Sequence, residues 1–125
     1  MKTLLILALG AFFAVMPQGM KRPTPDDWKV ISDKTENGIR NIVATPSPMV
    51  CSKVINIKVA VPSNEIQSVV YTGGCNGNLQ AVDRLLKGMS VAEAVSRLDG
   101  IDCAGRGTSC TDQLARILKH CFNIK

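Results

Sequence analysis

The chain has 125 residues and a formal net charge of +5, from 15 Lys and Arg against 10 Asp and Glu. This length accommodates one domain and argues against a large multi-substrate enzyme. The positive charge is scattered along the chain, and the aromatic residues are only one Trp, one Tyr and three Phe, so the composition also argues against nucleic-acid binding.

Residues 1–19 are typical of a secretory signal, with a charged start and an apolar run over residues 4–16. The run is shorter than the roughly 20 residues that a helix needs to cross a bilayer, so we expect no stable membrane span in the mature chain. Pro17 and Gly19 make an imperfect cleavage site, and Met20 is an alternative translation start. A true signal predicts export to the cell envelope, whereas translation from Met20 predicts a cytoplasmic protein. The clean apolar run favours export.

Residues 20–45 are predicted to be a polar arm or linker ahead of the folded domain. Up to Lys34 the stretch is polar and contains prolines and aspartates, which is typical of a linker rather than of a core element. Asn37-Gly38 indicates a turn, and residues 39–45 alternate enough to form a short strand.

Residues 46–125 are predicted to form an α+β domain. Residues 51–61 alternate apolar and polar at period two, residues 62–65 supply a turn, and residues 66–71 return as a second strand rich in β-branched residues. The expected structure is an antiparallel β-hairpin or small sheet with about three helices packed on one face, in two layers.

Three helices are predicted after the hairpin. The first opens at the glycine-rich turn of residues 73–77 and ends at Gly88, and the second begins with a capping box of Ser90 and Glu93. The third extends from about residue 111 to residue 122. The positions expected to face the core are Leu79, Val82, Leu85, Leu86, Val91, Ala94, Val95, Leu98, Leu114, Ile117, Leu118 and Cys121.

The five cysteines all lie beyond residue 50. In an exported protein disulfide bonds are the expected state of cysteines, whereas in a reducing compartment clustered cysteines are more often metal ligands. The compartment and the chemistry of the cysteines are therefore coupled in this chain.

The predicted hairpin brings two of these cysteines together. If Val61 pairs with Ile66, Cys51 lies opposite roughly position 76 and reaches the same open end of the hairpin as Cys75. Directly opposed residues on antiparallel strands are about 5 Å apart. A disulfide bond between Cys51 and Cys75 is the alternative to a shared metal ion.

Two further cysteines complete a candidate ligand set. Cys75 and Cys110 each precede a predicted helix, where backbone N–H groups and the positive end of the helix dipole favour a thiolate. Cys103 is joined to Cys110 by a glycine-rich loop that is flexible enough to wrap an ion. Because thiolates bind zinc and iron–sulfur clusters, we predict a metal site and no catalytic residue. Its ligands are Cys51, Cys75, Cys103 and Cys110, and its metal is Zn²⁺ or an iron–sulfur cluster.

The remaining reactive side chains have simpler interpretations. Cys121 is expected to be a core residue, and Cys103 has the alternative of a spare loop thiol. His120 is expected to interact with the dipole of the last helix rather than to activate a cysteine nucleophile. The two glycine-rich loops do not carry the full pattern of a phosphate-binding P-loop with its lysine.

The sequence around the cysteines also carries a set of motifs. They are Val50-Cys51-Ser52-Lys53, Thr72-Gly73-Gly74-Cys75-Asn76-Gly77-Asn78-Leu79-Gln80, Gly88-Met89, Leu98-Asp99-Gly100-Ile101-Asp102-Cys103 and Arg106-Gly107-Thr108-Ser109-Cys110-Thr111-Asp112-Gln113-Leu114-Ala115. Together they resemble the TSCPD-domain family of small bacterial proteins over most of residues 48–120. Thr111 stands where the family has proline, and the chain up to about Ile42 is expected to lie outside the family pattern.

The resemblance implies a TSCPD-like metal-binding domain over residues 46–125. A related domain lies at the C-terminus of cobalamin-dependent ribonucleotide reductases, so the resemblance also implies a protein partner in the ribonucleotide reductase machinery and a link to DNA synthesis. The chain is too short for the catalytic barrel and cobalamin site of such a reductase, so we do not expect it to be a reductase by itself.

A fainter resemblance connects the chain to the U-type iron–sulfur scaffold proteins. Lys53 replaces an aspartate of the scaffold, and Ser109 replaces its histidine. Cys103 offers a fourth thiolate, which favours stable holding of a metal over its transfer. The cysteines that match those of the scaffold are Cys51, Cys75 and Cys110.

The sequence therefore leads to three functional hypotheses. The first is a non-catalytic four-cysteine metal-binding module that acts as an auxiliary in ribonucleotide metabolism. The second is an iron–sulfur or sulfur carrier, and the third is an exported binding domain stapled by disulfide bonds.

Overall fold

The computed structural model describes residues 21–125, so the signal-like segment of residues 1–19 lies outside the described part of the chain. The described residues form a four-stranded antiparallel sheet and three helices, which confirms the predicted α+β fold. The strands are β1 Lys29–Glu36, β2 Ile39–Thr45, β3 Ser52–Ala60 and β4 Glu65–Gly73, and the helices are α1 Asn76–Leu86, α2 Val91–Leu98 and α3 Cys110–Phe122.

The sheet is a meander in which each strand pairs with its neighbour in the sequence, in the order β1-β2-β3-β4. The predicted turn between β1 and β2 is confirmed, since Asn37 and Gly38 both have positive φ, at 51° and 76°. Hairpin turns of two residues favour this left-handed backbone because it matches the twist of the flanking strands.

Strand β1 is where the structure differs most from the prediction, in which residues up to Lys34 form a linker. Residues 29–36 instead pair with β2 along its length. Most of the β1 side chains are exposed, so the strand has no apolar alternation. The Asp33 carboxylate of β1 accepts two hydrogen bonds from Arg40 of β2, at 2.9 and 2.7 Å. Backbone pairing and this ion pair stabilise an edge strand that hydrophobic patterning cannot detect.

The core lies against one face of the sheet. Ile42, Ile57 and Val69 are paired across β2, β3 and β4 and are at most 1% exposed. Residues from all three helices complete the same cluster. Burial of each large apolar side chain stabilises the folded state by roughly 1.5–3 kcal/mol. The helical members of this cluster are Leu86, Val91, Ala94, Val95, Leu114, Ile117 and Leu118.

One predicted core position was wrong. Leu79 and Leu86 of α1 are buried as expected, but Leu85 is 74% exposed. At 3.6 residues per turn, Leu85 lies about 120° around the helix from Leu79. It is therefore too far from the face that packs on β4 to be covered.

The predicted helix starts agree with the structure. The Ser90 hydroxyl accepts a hydrogen bond from the backbone N–H of Glu93, at 3.1 Å, at the start of α2. The Glu93 carboxylate pairs with Arg97, at 2.7 Å. Helix α3 begins at Cys110, one residue before the predicted start, and the Ser109 hydroxyl caps it by accepting from the N–H of Asp112.

Candidate functional site

The candidate site lies at the end of the sheet where β3 begins and β4 ends. Cys51 directly precedes β3, and Ser52 is paired with Gly73, two residues before Cys75. The predicted register places Cys51 opposite roughly position 76, so the observed register differs from it by about two residues. The difference arises at the turn, which is formed by residues 61–64 rather than 62–65, so that Val59 and not Val61 lies opposite Ile66. Two pairing irregularities, between Ser52 and Val54 and between Lys58 and Val59, offset each other.

Two glycines let the chain turn closely over the start of β3. Gly73 and Gly74 have φ of +79° and +85°, a backbone region that favours glycine. A Cβ atom at Gly74 would lie 3.0 Å from the Leu79 Cδ1 atom and 3.3 Å from the Ser52 backbone nitrogen. The turn therefore holds Gly74, the residue before Cys75, against the first residue of β3.

Cys110 is tied to this hairpin by two hydrogen bonds. The Ser52 hydroxyl donates to the Cys110 Sγ atom at 3.2 Å, and the Tyr71 hydroxyl donates to the Cys110 carbonyl at 3.3 Å. Burial, with a smaller contribution from Cys110, raises the pKa of Tyr71, so this phenol keeps its proton. The start of α3 is thus held against the ends of β3 and β4.

The loop that carries Cys103 is closed by a carboxylate. Asp102 accepts hydrogen bonds from the N–H groups of Gly105 and Gly107, at 2.8 and 2.6 Å. The backbone adds a hydrogen bond from the Cys103 N–H to the Thr108 carbonyl, at 3.1 Å. The glycines of this loop therefore do not make it flexible, as predicted, but supply positive φ angles in a compact turn.

Arg106, at the tip of this loop, is a candidate site residue that sequence reasoning missed. Its Nη1 atom lies 3.7 Å from the Cys51 Sγ atom. The hydrogen bond and charge of Cys51, with further contributions from Cys103 and Cys110, raise the pKa of Arg106. In the sequence, only its position midway between Cys103 and Cys110 indicates that Arg106 lies near thiols.

Beneath the site lies a buried carboxylate, that of Asp112, which is 1% exposed. It accepts from the Thr108 hydroxyl at 2.6 Å, the Gly100 N–H at 2.8 Å and the Arg116 Nε atom at 2.8 Å. Burial alone would raise its pKa, but these hydrogen bonds outweigh burial and hold the pKa of Asp112 below its ordinary value. The charged carboxylate therefore joins the end of α2 to the start of α3.

The neighbouring Gln113 is fully buried and joins three separate segments. Its Oε1 atom accepts from the Ser47 N–H at 2.9 Å, and its Nε2 atom donates to the Pro25 carbonyl at 2.8 Å and to the Thr108 hydroxyl at 2.9 Å. All its hydrogen-bonding atoms are used, which is the usual state of a buried amide. The arm at residue 25 is thereby fixed to the loop that precedes Cys110.

The thiols differ in their exposure. Cys51, Cys75 and Cys103 are exposed and Cys110 is half-buried, and none of these, nor Cys121, forms a disulfide bond. Within residues 21–125, no three side chains of His, Cys, Asp or Glu stand close enough together to form a ligand set as they are oriented. Sulfur is a suitable donor for zinc and iron–sulfur clusters, so the chemistry of the four side chains fits the predicted metals.

Cys121 and His120 lie away from these thiols. Cys121 is half-buried at the end of α3, where burial and the charge of Asp33 raise its pKa although Arg40 opposes them. The His120 ring makes an edge-on contact with Trp28, with the ring centres 5.2 Å apart. Ten residues of helix, or about 15 Å, separate His120 from Cys110. Their positions on α3 do not bring this histidine to that thiol.

The fold and the site define a small α+β protein that carries thiols at one end of an antiparallel sheet. The family model of the TSCPD domain matches residues 24–122, and the chain belongs to this family. A search of curated proteins and a search of solved structures found no match. Among the helices of residues 21–125, none is both long enough and apolar enough to cross a membrane.

The extent of the family match corrects one expectation. The chain up to about Ile42 was expected to lie outside the family pattern, but the match begins at residue 24. The prediction was wrong because β1 and β2 form half of the sheet and Ile42 is fully buried in its core. Residues 24–42 are therefore part of the family domain.

Proposed function

We propose that this protein is a non-catalytic metal-binding module that holds Zn²⁺ or an iron–sulfur cluster with Cys51, Cys75, Cys103 and Cys110. The observation that carries the proposal is the register of β3 and β4, which pairs Ser52, the residue after Cys51, with Gly73, two residues before Cys75. The hydrogen bond from Ser52 to the Cys110 Sγ atom adds a third thiol to the same end of the sheet.

The local surroundings of the thiols support a metal-holding role. Cys75 and Cys110 stand at the N-terminal ends of α1 and α3, at the same end of the sheet as Cys51. A structural zinc site holds each sulfur about 2.3 Å from the ion, so the exposed thiols have to rotate toward one another on loading. Their exposure leaves room for this rotation.

A site of four thiolates argues for holding rather than for catalysis. Four protein ligands close the coordination sphere of zinc, whereas catalytic zinc sites keep one position for water or substrate. The module would then stabilise its own fold and dock on a protein partner. The likeness of TSCPD domains to the C-terminal domain of cobalamin-dependent ribonucleotide reductases supports a partner in that machinery, and hence a role in deoxyribonucleotide synthesis.

The second candidate function is an iron–sulfur or sulfur carrier. The exposure of Cys51, Cys75 and Cys103 favours it, because a carrier has to deliver its cargo to another protein. A carrier loaded with a cluster is expected to be coloured and sensitive to oxygen. A colourless protein with stoichiometric zinc after anaerobic expression would contradict this candidate.

The test is metal analysis and an absorbance spectrum of the chain purified anaerobically without added metal. We expect about one zinc ion or one visible cluster per chain. Replacement of any one of the four proposed ligands by serine should abolish tight binding, and Cys121→Ser, outside the proposed set, is the matched control. The proposal fails if a ligand variant binds as the wild type does. A metal-free protein with two disulfide bonds by mass would instead favour the exported, disulfide-stapled domain.

A further inference from the structure

Arg106 differs from the other paired arginines in the chemistry of its partner. Among the ion pairs within residues 21–125, Arg40, Arg97 and Arg116 each contact a carboxylate. The polar contact of the Arg106 guanidinium is instead the Cys51 sulfur, at 3.7 Å. This exposed side chain therefore has a thiol as its partner.

Hydrogen bonds to the backbone of the loop hold Arg106 in this position. The Arg106 N–H donates to the Cys103 carbonyl at 3.2 Å, and the Asp102 carboxylate accepts from the N–H groups of Gly105 and Gly107 on either side of it. The base of the side chain is thus fixed while its end remains free to reach the sulfurs.

A metal held by four thiolates needs a compensating charge. Four thiolates carry four negative charges and a divalent ion two positive ones, so the loaded site keeps two units of negative charge. Groups that donate to metal-bound atoms orient them and tune the affinity for the metal. A guanidinium is always protonated and is weakly hydrated, so it suits this role near the surface.

We infer that Arg106 is a positioning residue of the thiol site, which offsets the negative charge of the loaded thiolates through Cys51 and so raises the affinity for metal. This inference rests on the proposed metal-binding function. Outer partners of metal ligands typically change affinity by about 10–100-fold, and solvent exposure places Arg106 at the low end. The dissociation constant for metal should therefore rise about tenfold in Arg106→Gln.

The test is competition for Zn²⁺ between the full chain and a chromophoric chelator, at about 20 mM and about 0.5 M salt. Arg106→Gln should bind about tenfold more weakly than wild type at low salt, and the difference should shrink at high salt because salt screens exposed charges. Arg106→Lys keeps the charge but loses the planar donor, so its affinity for zinc should lie between those of the wild type and Arg106→Gln. Arg84→Gln removes the same charge from an exposed position on α1 and should bind as wild type does.

Each remaining outcome has a defined meaning. If Arg106→Gln binds as wild type does, if it loses no more than Arg84→Gln, or if its loss does not depend on salt, the inference about charge is overturned while the proposed function stands. If the wild type itself binds no metal, the proposed function fails and the inference fails with it. Matching circular dichroism spectra of the variants and the wild type would show that a difference in affinity does not come from unfolding.

Discussion

Replacement of Asp112 by asparagine should destabilise the protein strongly although the two side chains have almost the same shape. The carboxylate is 1% exposed and accepts hydrogen bonds from Gly100, Thr108 and Arg116. An amide has only one acceptor oxygen, so at least one of these donors would face an N–H group. Hydrogen bonds to a charged group contribute about 1.5–3 kcal/mol each, and we expect a loss of about 2–4 kcal/mol in the free energy of unfolding at pH 7.

Urea denaturation followed by circular dichroism measures this loss, and a thermal scan should show a melting temperature lower by about 10 °C. Asp26→Asn is the matched control, because Asp26 contacts the same Arg116 from the surface with 80% of its side chain exposed. Such an exposed ion pair contributes about 0–1 kcal/mol. Equal losses in Asp112→Asn and Asp26→Asn, measured under the same metal conditions, would refute the reasoning.

The pH dependence of Asp112→Asn follows from the sign of the pKa shift. The folded-state pKa of Asp112 is below its unfolded value, so its charge stabilises the fold above the unfolded pKa of about 3.9. This contribution is lost as the pH falls through the folded-state pKa. The stability difference between wild type and Asp112→Asn should therefore stay constant from about pH 7 to pH 5 and narrow below about pH 4. A gap that widened on acidification would contradict this assignment.

Two further predictions compare matched pairs of substitutions by urea denaturation. Leu118→Ala, at a fully buried position, should lower the free energy of unfolding by about 2–5 kcal/mol. Leu85→Ala, at 74% exposure, should change it by less than about 0.5 kcal/mol. Similar losses in the two variants would show that the core is misassigned. Gly74→Ala should cost about 1–3 kcal/mol, because φ is +85° and a Cβ atom would lie 3.0 Å from Leu79. Gly77→Ala, where a Cβ atom meets nothing within 4 Å, should be neutral or slightly stabilising, and an equal loss at both glycines would exclude backbone strain as the cause.

The parts of the fold that sequence predicted well are those where apolar periodicity and end signals agree. The β3–β4 hairpin alternates at period two, and α2 combines an apolar stripe with a serine cap at Ser90. Strand β1 was missed because its partners are backbone groups and a charged pair, Asp33 and Arg40, neither of which produces a hydrophobic pattern. The register differed because the turn lies at residues 61–64 instead of 62–65, and a turn displaced by one residue moves the pairing by two.

The positions of Cys51, Cys75 and Cys110 at the ends of strands and helices were predictable, whereas the contacts of the residues around them were not. Cysteines next to strand and helix ends can be placed from the order of the elements. The hydrogen bonds of Gln113 join residues 66 and 88 positions apart in the chain, and no local pattern encodes such distances. The contact between Arg106 and Cys51, 55 positions apart, was hidden for the same reason.

The hydrogen bond from Gln113 to the Pro25 carbonyl sets a limit on how far the chain can be shortened. A chain that began at residue 46, where the sequence suggested a domain boundary, would lose Ile42 from the core, expose the edge of β3 and leave a buried amide donor without its acceptor. Every proposed ligand lies beyond residue 50, yet the segment that starts near Thr24 is part of what holds them. Fusions and tags should therefore be joined ahead of this residue, and a protease cut between it and β1 should loosen the thiol site from a distance.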